Sequence, residues 1–323
     1  MEKEMYMSAK TEPVQELGQS SPGPWSRLKD RLGLHTKREV LEFSVNLLFL
    51  LCGFTAVACV LLICIYLIAA GLPAIAEIGL KDFLFGTTWA GRQGQFGILP
   101  FILTSVAGTA GAVLIGVPVG ILTAMFLAKV APPKVSAVIH SAVELLAGIP
   151  SIVYGLVGMI VLVPSIQRAF GLSSGACLLA AIVVLAIMIL PSIVNVAETS
   201  LRAVPKEYEE ASLALGATQM ETIFRVSLPA ARSGVATAVV LGVGRAIGEA
   251  MAIIMVSGNV PNMPDSMFAP VRFLTTAIAS EMSYASVGSL WQNALYSVGL
   301  VLFLFIMLIN VFLNLFIKNR KEG

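Results

Sequence analysis

The sequence predicts an all-α integral membrane protein with about six transmembrane helices. Of its 323 residues, 57% are hydrophobic and only 12% are charged, roughly half the charged share of a soluble domain. Five runs contain no Asp, Glu, Lys or Arg, and each can cross a hydrocarbon core about 30 Å thick, which needs roughly 20 residues. A sixth apolar run is interrupted by Arg245 and Glu249. The five uncharged runs are 43–76, 93–128, 145–167, 169–197 and 282–317.

Within these runs we place six helices, at 45–68, 104–127, 143–163, 176–196, 233–257 and 293–317. Pro118, Pro150 and Pro191 fall inside apolar runs. Each proline removes a backbone hydrogen bond, and in a membrane neighbouring helices must compensate for that loss. We therefore expect kinked helices that pack against one another.

Small residues recur along one face of the second predicted helix. Gly108, Ala112, Gly116 and Gly120 are spaced by four residues, so they share a helical face. Small residues let two helix backbones approach closely in a membrane. We expect another helix to pack tightly on this face.

Charge sets the predicted orientation. With the N-terminus inside, the cytoplasmic segments hold sixteen Lys or Arg and the external segments hold four, which satisfies the positive-inside rule. The predicted organisation is a cytoplasmic tail at 1–42, a first transmembrane helix at 43–72, an external loop at 73–100, a core of five helices at 101–318 and a cytoplasmic C-terminus at 319–323. Both termini are then cytoplasmic in a multi-pass protein of a cell membrane, in contact with lipid.

Several classes of function are disfavoured. The net charge of +2 is spread by topology and forms no basic stripe, so no nucleic-acid partner is predicted. The four cysteines lie in apolar spans and lack the spacing of a disulfide framework or a metal site. The sequence has no GxxxxGK[ST] phosphate-binding loop, so any ATP hydrolysis belongs to another polypeptide. We predict a protein that is not an enzyme, with no catalytic residues and no cofactor of its own.

The segment 198–232 predicts two short cytoplasmic helices. Gly216 is a natural stop for the first helix, and Thr218 with Glu221 forms a capping box for the second. Pro229 ends the second helix. An apolar stripe, which should be received by a partner or by the membrane surface, includes Leu213, Leu215, Ile223 and Phe224.

This segment resembles the EAA loop of binding-protein-dependent ABC permeases. The matching positions are Glu210, Ala211, Gly216, Leu228 and Pro229, although Ser212 and Val226 depart from the family's usual residues. The resemblance implies that these positions couple to a separate cytoplasmic ATPase, where ATP and magnesium would bind. It also implies a type I importer architecture like that of MetI.

Arg245 and Glu249 are the most informative residues of the fifth span. Arg245 lies about 18 Å from Ser233 along a helix, near the middle of the membrane, where a charge costs at least about 2.5 to 3.5 kcal/mol. A guanidinium presents a planar fork of donors that fits a tetrahedral oxyanion. Gly244 and Gly248 leave room beside it. We predict that these four residues line a substrate pathway, or alternatively that Arg245 and Glu249 form an ion pair one helical turn apart.

The string GVGRAIGEAMAIIMVSGN resembles the fifth span of phosphate-specific transport permeases of the PstC type. FGILP (96–100), ELLAGIPSIVYGLVG (144–158) and RFLTTAIASEM (272–282) match the same family. The resemblance covers roughly 83–317 and implies a permease subunit of an ATP-driven phosphate importer. Its implied partners are a PstA-type permease, two copies of an ATPase and an extracytoplasmic phosphate-binding protein.

Other functions stay open from the sequence. The chain could transport another oxyanion such as sulfate or molybdate, or be the companion PstA-type subunit. In a different class, it could be a membrane-embedded enzyme acting on a lipid phosphate. A carboxylate can accept a hydrogen bond from protonated phosphate but not from fully ionised sulfate, so we predict that Glu249 contributes to selectivity.

Overall fold

The computed structural model describes residues 37–319, with side chains described for 41–312. Most of the predicted tail, 1–42, and all but the first residue of the predicted C-terminus, 319–323, lie outside the described residues. The described chain is helical, as predicted. Its helices are α1 Lys37–Ile78, α2 Leu80–Phe85, α3 Leu99–Met125, α4 Pro133–Gly148, α5 Ser151–Val157, α6 Val163–Phe170, α7 Leu178–Arg202, α8 Lys206–Ala214, α9 Gln219–Thr222, α10 Leu228–Ala230, α11 Arg232–Gly248, α12 Met251–Val256, α13 Leu274–Glu281 and α14 Leu290–Asn319.

Three π-helical turns, one hairpin and a 3-10 turn at Gly91–Gln93 between its strands complete the described elements. The π turns follow α3, α5 and α9, at Phe126–Val130, Gly158–Leu162 and Ile223–Ser227. The hairpin pairs β1, Trp89–Ala90, with β2, Gln95–Phe96, in antiparallel register. It lies within the predicted external loop, 73–100, so that segment contains ordered elements.

Five helices of the described chain are long and apolar enough to cross a membrane: Leu41–Ile78, Leu99–Val130, Ser151–Phe170, Leu178–Arg202 and Leu290–Phe312. A sixth span is present when Gln219–Ala230 and Arg232–Gly248 are counted together, although a bend of 74° separates them. The prediction of about six membrane helices is confirmed.

The chain divides into two units within α1, residues 1–63 and 64–323. In the first unit, nearly all described side chains of 41–63 are exposed, as expected of apolar residues that a bilayer solvates. In the second unit, the Ser297 hydroxyl of α14 donates a hydrogen bond to the Gly71 carbonyl of α1, with 2.7 Å between the oxygens. A Cβ at Gly71 would lie 3.1 Å from the Ser297 backbone, so glycine permits this close crossing.

The predicted third helix, 143–163, is wrong in its bounds. α4 ends at Gly148, the backbone of Ile149 and Pro150 is extended, and α5 begins at Ser151. Proline lacks an N–H and disfavours helical angles in the residue before it, so Pro150 divides two helices instead of kinking one. The other two prolines named above lie inside α3 and α7, which continue past them.

The main core is centred on α7, which is packed between α3 and α11. A Cβ at Gly116 or Gly120 of α3 would lie 2.7 Å from the side chains of Ile189 and Ile193 of α7. A Cβ at Gly242 of α11 would lie 2.9 Å from Ile193. Real Cβ contacts are essentially never shorter than 3.0 Å, so these glycines are required for the observed packing. The predicted close-packed face of the second span is confirmed.

A second buried cluster joins the hairpin to α13 and α14. Trp89 of β1 stacks edge-on against Phe96 of β2 and lies beside Phe101 of α3, with ring centroids 5.4–5.5 Å apart. Leu274 of α13 and Leu295 of α14 are fully buried in the same cluster. This cluster packs the predicted external segments against one another. The helix α11 is not part of it.

Candidate functional site

The predicted continuous fifth helix, 233–257, is wrong because α11 ends at Gly248. Glu249 has extended backbone angles, φ −74° and ψ 130°, and α12 begins at Met251. The Glu249 carboxylate accepts the backbone N–H of Ala252 at 3.0 Å, and the Glu249 carbonyl accepts the Thr275 hydroxyl at 2.7 Å. Local side-chain bonds of this kind compete with the helical ladder, so the break is satisfied by hydrogen bonds.

Arg245 lies one turn before the break and is partly buried. Its Nη1 donates to the hydroxyl of Ser192 on α7 at 3.2 Å. Among the described residues this is the one acceptor within hydrogen-bond distance of a guanidinium that carries five N–H donors. Most of the donor fork is therefore available to a group that the described residues do not supply.

One face of α11 is left uncovered by the part of the chain that the structure describes. Ser233, Thr237, Leu241 and Gly248 are exposed, and Arg245 continues the same stripe. The opposite face is buried against α7 and its neighbours, through Val235, Ala238, Gly242 and Ala246. The cation therefore lies on the open side of the helix.

The predicted pathway glycines face open space. A Cβ at Gly244 or Gly248 would meet nothing within 4 Å. Within the described chain, no nitrogen of Arg245 lies within 4.0 Å of a Glu249 carboxylate oxygen. The alternative of an ion pair one turn apart is therefore wrong, because the helix ends between the two residues. Their role toward a substrate stays a prediction.

The two short helices predicted within 198–232 are present. We call α8 to α10 the cytoplasmic knuckle after their predicted side of the membrane, which stays a prediction. Gly216 has a φ of +88°, which glycine adopts without strain. The Thr218 hydroxyl accepts the Glu221 N–H at 3.3 Å, and the Thr218 N–H donates to the Glu221 carboxylate at 3.0 Å. Bonds from the Thr218 backbone and hydroxyl hold the pKa of Glu221 below its ordinary value, so the capping carboxylate is ionised at neutral pH.

The knuckle presents an apolar surface that differs from the predicted stripe by one residue. Leu213, Leu215 and Phe224 are exposed, Leu215 at 91%, whereas Ile223 is only 3% exposed. Ile223 was therefore placed wrongly, because it packs into the main core. Tyr208 and Met220 add to the exposed surface. Of the five predicted coupling residues, Leu228 is half-buried and the rest are exposed: Glu210, Ala211, Gly216 and Pro229.

Sequence reasoning missed the contacts that hold the knuckle to the second span. Lys129 Nζ lies 2.5 Å from Glu209 Oε1, and the Ser227 hydroxyl donates to the same oxygen at 2.9 Å. The Gln219 side-chain amide donates to the Lys129 carbonyl at 3.1 Å. Lys129 is far from the other three in sequence, so no local spacing could have predicted the contact.

A second polar cluster lies at the same end of the helices. Glu198 is buried at the end of α7, and its carboxylate accepts Arg202 Nε at 2.9 Å. His140 Nδ1 lies 3.2 Å from Glu198, and its Nε2 lies 3.2 Å from Glu144. Arg202 also donates to the Leu127 carbonyl at 2.9 Å. These contacts tie α4, α7 and the end of the second span together.

The RFLTTAIASEM string builds a hub at the other end of the molecule. The Glu281 carboxylate accepts the indole N–H groups of Trp89 and Trp291, each at 2.9 Å, and pairs with Arg272. Arg272 also donates to the Asn259 carbonyl from Nε and Nη2, at 3.0 and 2.7 Å. These residues line a cavity of about 830 Å³. The two tryptophans were not predicted as part of any site.

Comparison with known proteins decides the family. The family model described as "Binding-protein-dependent transport system inner membrane component" matches residues 116–321, about two thirds of the chain. The chain belongs to this family. The match includes the knuckle, α11 and the break at Glu249, and so covers every residue of the predicted site.

Several curated members of this family are similar over most of their length. The probable ABC transporter permease protein YqgH of Bacillus subtilis is 40% identical, with 88% of this chain and 93% of the relative covered. The phosphate transport system permease protein PstC of Mesorhizobium japonicum is 37% identical, with 76% and 81% covered. The PstC of Haemophilus influenzae is 36% identical, with 88% and 94% covered.

Solved structures agree on the permease fold. A bacterial alginate ABC transporter superposes with a TM-score of 0.59 at 17% identity, covering 89% of this chain and 96% of that chain. An inward-facing MetNI methionine ABC transporter superposes with a TM-score of 0.55 at 21% identity, covering 69% and 95%. The predicted MetI-like importer architecture is confirmed, and the chain is a multi-pass membrane permease.

Proposed function

We propose that this chain is a transmembrane permease subunit of an ATP-driven importer of inorganic phosphate and forms half of the translocation pathway. The observation that carries the proposal is Arg245, a guanidinium inside a membrane span whose donor fork opens onto an uncovered helix face. Relatives named as PstC phosphate permeases cover three quarters or more of the chain, which favours phosphate among the oxyanions.

The second half of the pathway comes from another subunit in this proposal. Gly244 and Gly248 have no neighbour within 4 Å of a built Cβ, and the exposed stripe of α11 has no covering helix in the described chain. A PstA-type permease would cover this stripe and enclose the anion beside Arg245. The two subunits would then share one route, with substrate at the interface near the midplane, as discontinuous helices do in other transporters.

The cytoplasmic knuckle is the proposed seat of a separate ATPase dimer, which binds ATP and magnesium. Its exposed apolar residues, Leu213, Leu215 and Phe224, lie next to exposed Glu210, a combination suited to a protein groove with an apolar floor and polar rim. An extracytoplasmic phosphate-binding protein would deliver the anion from the opposite side. The excess of Lys and Arg in the knuckle and terminal segments supports cytoplasmic termini in a prokaryotic cell membrane.

The proposal is tested by ATP-driven uptake of radiolabelled phosphate into proteoliposomes that contain the complete complex. We expect uptake that requires ATP on the side of the membrane that carries the ATPase. Unlabelled phosphate should compete with the labelled phosphate and lower this uptake. An excess of sulfate or molybdate should displace it weakly. Uptake of labelled sulfate or molybdate in preference to phosphate would overturn the substrate assignment.

A further inference from the structure

We propose that the Lys129–Glu209 ion pair is the strut that carries movement of the cytoplasmic knuckle to the second span. This inference rests on the proposed function, since it assigns a role in coupling ATP hydrolysis to transport. Lys129 and Glu209 are positioning residues in this account, because neither touches the anion or the nucleotide.

The ion pair is short and mostly shielded from water. Lys129 Nζ and Glu209 Oε1 are 2.5 Å apart, and the two side chains are 10% and 23% exposed. Ser227, which is fully buried, donates to the same Glu209 oxygen at 2.9 Å. Charges held in such surroundings interact more strongly than exposed pairs. Glu209 is thereby fixed to both the second span and the far end of the knuckle.

Two helices of the knuckle, α8 and α9, contact the same residue of the second span. α8 contributes Glu209, and the first residue of α9, Gln219, donates to the Lys129 carbonyl at 3.1 Å. Lys129 belongs to the π turn Phe126–Val130 that ends this span. The exposed residues Leu215 and Phe224 lie on the outer surface of the knuckle. A force applied to that surface is therefore transmitted to the end of the second span through the ion pair and the hydrogen bond at Lys129.

The second span is in turn packed against the helix that positions Arg245. A Cβ at Gly116 or Gly120 of α3 would lie 2.7 Å from Ile189 or Ile193 of α7, so the two helices are in close contact there. Ser192 of α7 accepts the Arg245 hydrogen bond. Closely packed elements of this kind move as units. The strut is therefore the first link of a continuous series of contacts from the knuckle to the candidate anion contact.

The test compares Glu209→Gln with a matched variant outside the knuckle, Glu77→Gln. Glu77 is exposed near the end of α1, and the described chain shows no ion pair for it. Each variant is purified as the full complex in proteoliposomes, and both ATP hydrolysis and phosphate uptake are measured. We expect Glu209→Gln to lower the phosphate taken up per ATP hydrolysed by at least about fivefold, the lower end of usual coupling energies. Glu77→Gln should leave this ratio unchanged.

The reversed pair, Lys129→Glu with Glu209→Lys, separates coupling from folding. If the double variant recovers the wild-type ratio of phosphate taken up to ATP hydrolysed, the strut is supported. This holds even if the Glu209→Gln complex fails to assemble. An unchanged ratio in Glu209→Gln, or a reversed pair that stays uncoupled, overturns it. Failure of the wild-type complex to take up phosphate would count against the proposed substrate alone. The strut would then be judged by how strongly the anion-loaded binding protein stimulates ATP hydrolysis in the same variants.

Discussion

Arg245 is held inside a membrane span by one hydroxyl, that of Ser192, among the residues that the structure describes. A neutral hydroxyl orients a guanidinium but does not balance its charge, and a charge at the centre of a span costs at least about 2.5 to 3.5 kcal/mol. The neighbouring carboxylate of Glu249 is directed to the Ala252 N–H instead. An anion that passes through the site would supply the missing negative charge, which is why we assign Arg245 to substrate.

Glu249 has a structural role that is visible and a selective role that is predicted, and one substitution separates them. In Glu249→Gln, the amide oxygen can still accept the Ala252 N–H, so α12 keeps its cap. The second carboxylate oxygen, which would accept a hydrogen bond from protonated phosphate, becomes an NH2 group that can only donate. We expect the complex to assemble in normal amounts and its preference for phosphate over sulfate to fall, measured by competition during uptake.

Glu249→Ala is the companion variant, because it removes both the cap and the charge. It should reduce the amount of assembled complex as well as the preference. An unchanged preference for phosphate in Glu249→Gln would show that the carboxylate only completes the helix break.

At the scale of the elements, the packing of α3 on α7 depends on glycines, because a larger side chain would force the facing side chains of α7 to shift. A Cβ at Gly116 would lie 2.7 Å from Ile189 and 3.1 Å from the Ala186 carbonyl. We expect Gly116→Val to lower the free energy of unfolding by about 1–3 kcal/mol, as overpacked sites do. The thermal unfolding midpoint of the detergent-solubilised protein measures this.

The matched control for that change is Gly53→Val in α1, where a Cβ would meet nothing within 4 Å. Its midpoint should stay near that of the wild type. Equal losses in the two variants would mean that a valine is unfavourable in any span and that the close approach of α3 to α7 contributes nothing specific.

Sequence reasoning predicted the helices and the knuckle because their signals are local. Long uncharged runs, the Thr218–Glu221 capping box and Gly216 each act over a few residues, and the structure has them as predicted. The spacing of Gly116 and Gly120 likewise predicted a close helix contact, although not its partner α7.

The misses have physical causes that a pattern does not contain. Apart from Arg245 and Glu249 the run 233–257 is apolar, and its pattern does not mark a helix end at Gly248. The hydrogen bond from Thr275 to the Glu249 carbonyl comes from a distant segment and stabilises the break there. The Lys129–Glu209 contact and the Glu281 hub with its two tryptophans also join segments far apart in sequence. Such contacts depend on the tertiary arrangement. The spacing of residues along a single sequence does not show which distant residues come together.

At the scale of the whole molecule, the open stripe of α11 implies that this subunit works in a complex. Leu241 is exposed at the centre of the stripe, one turn before Arg245. We expect Leu241→Trp to block association with the second permease, because the added ring fills the space that a close helix contact needs. Co-purification of the two permeases measures this.

The control for that change is Leu308→Trp on α14, an exposed leucine outside the stripe. It should leave co-purification intact. Association that survives Leu241→Trp, or that fails in both variants, would contradict the assignment of the stripe to the interface between subunits.

The central claim is that the Arg245 guanidinium contacts the translocated anion, and Arg245→Lys tests it most directly. Lysine keeps the positive charge but has no planar donor fork, so insertion and assembly should persist while recognition is lost. In proteoliposomes with the complete complex, the account predicts that phosphate uptake falls by at least about tenfold, the equivalent of one lost charge-assisted hydrogen bond, while ATP hydrolysis continues. Uptake at the wild-type rate in Arg245→Lys would contradict the account.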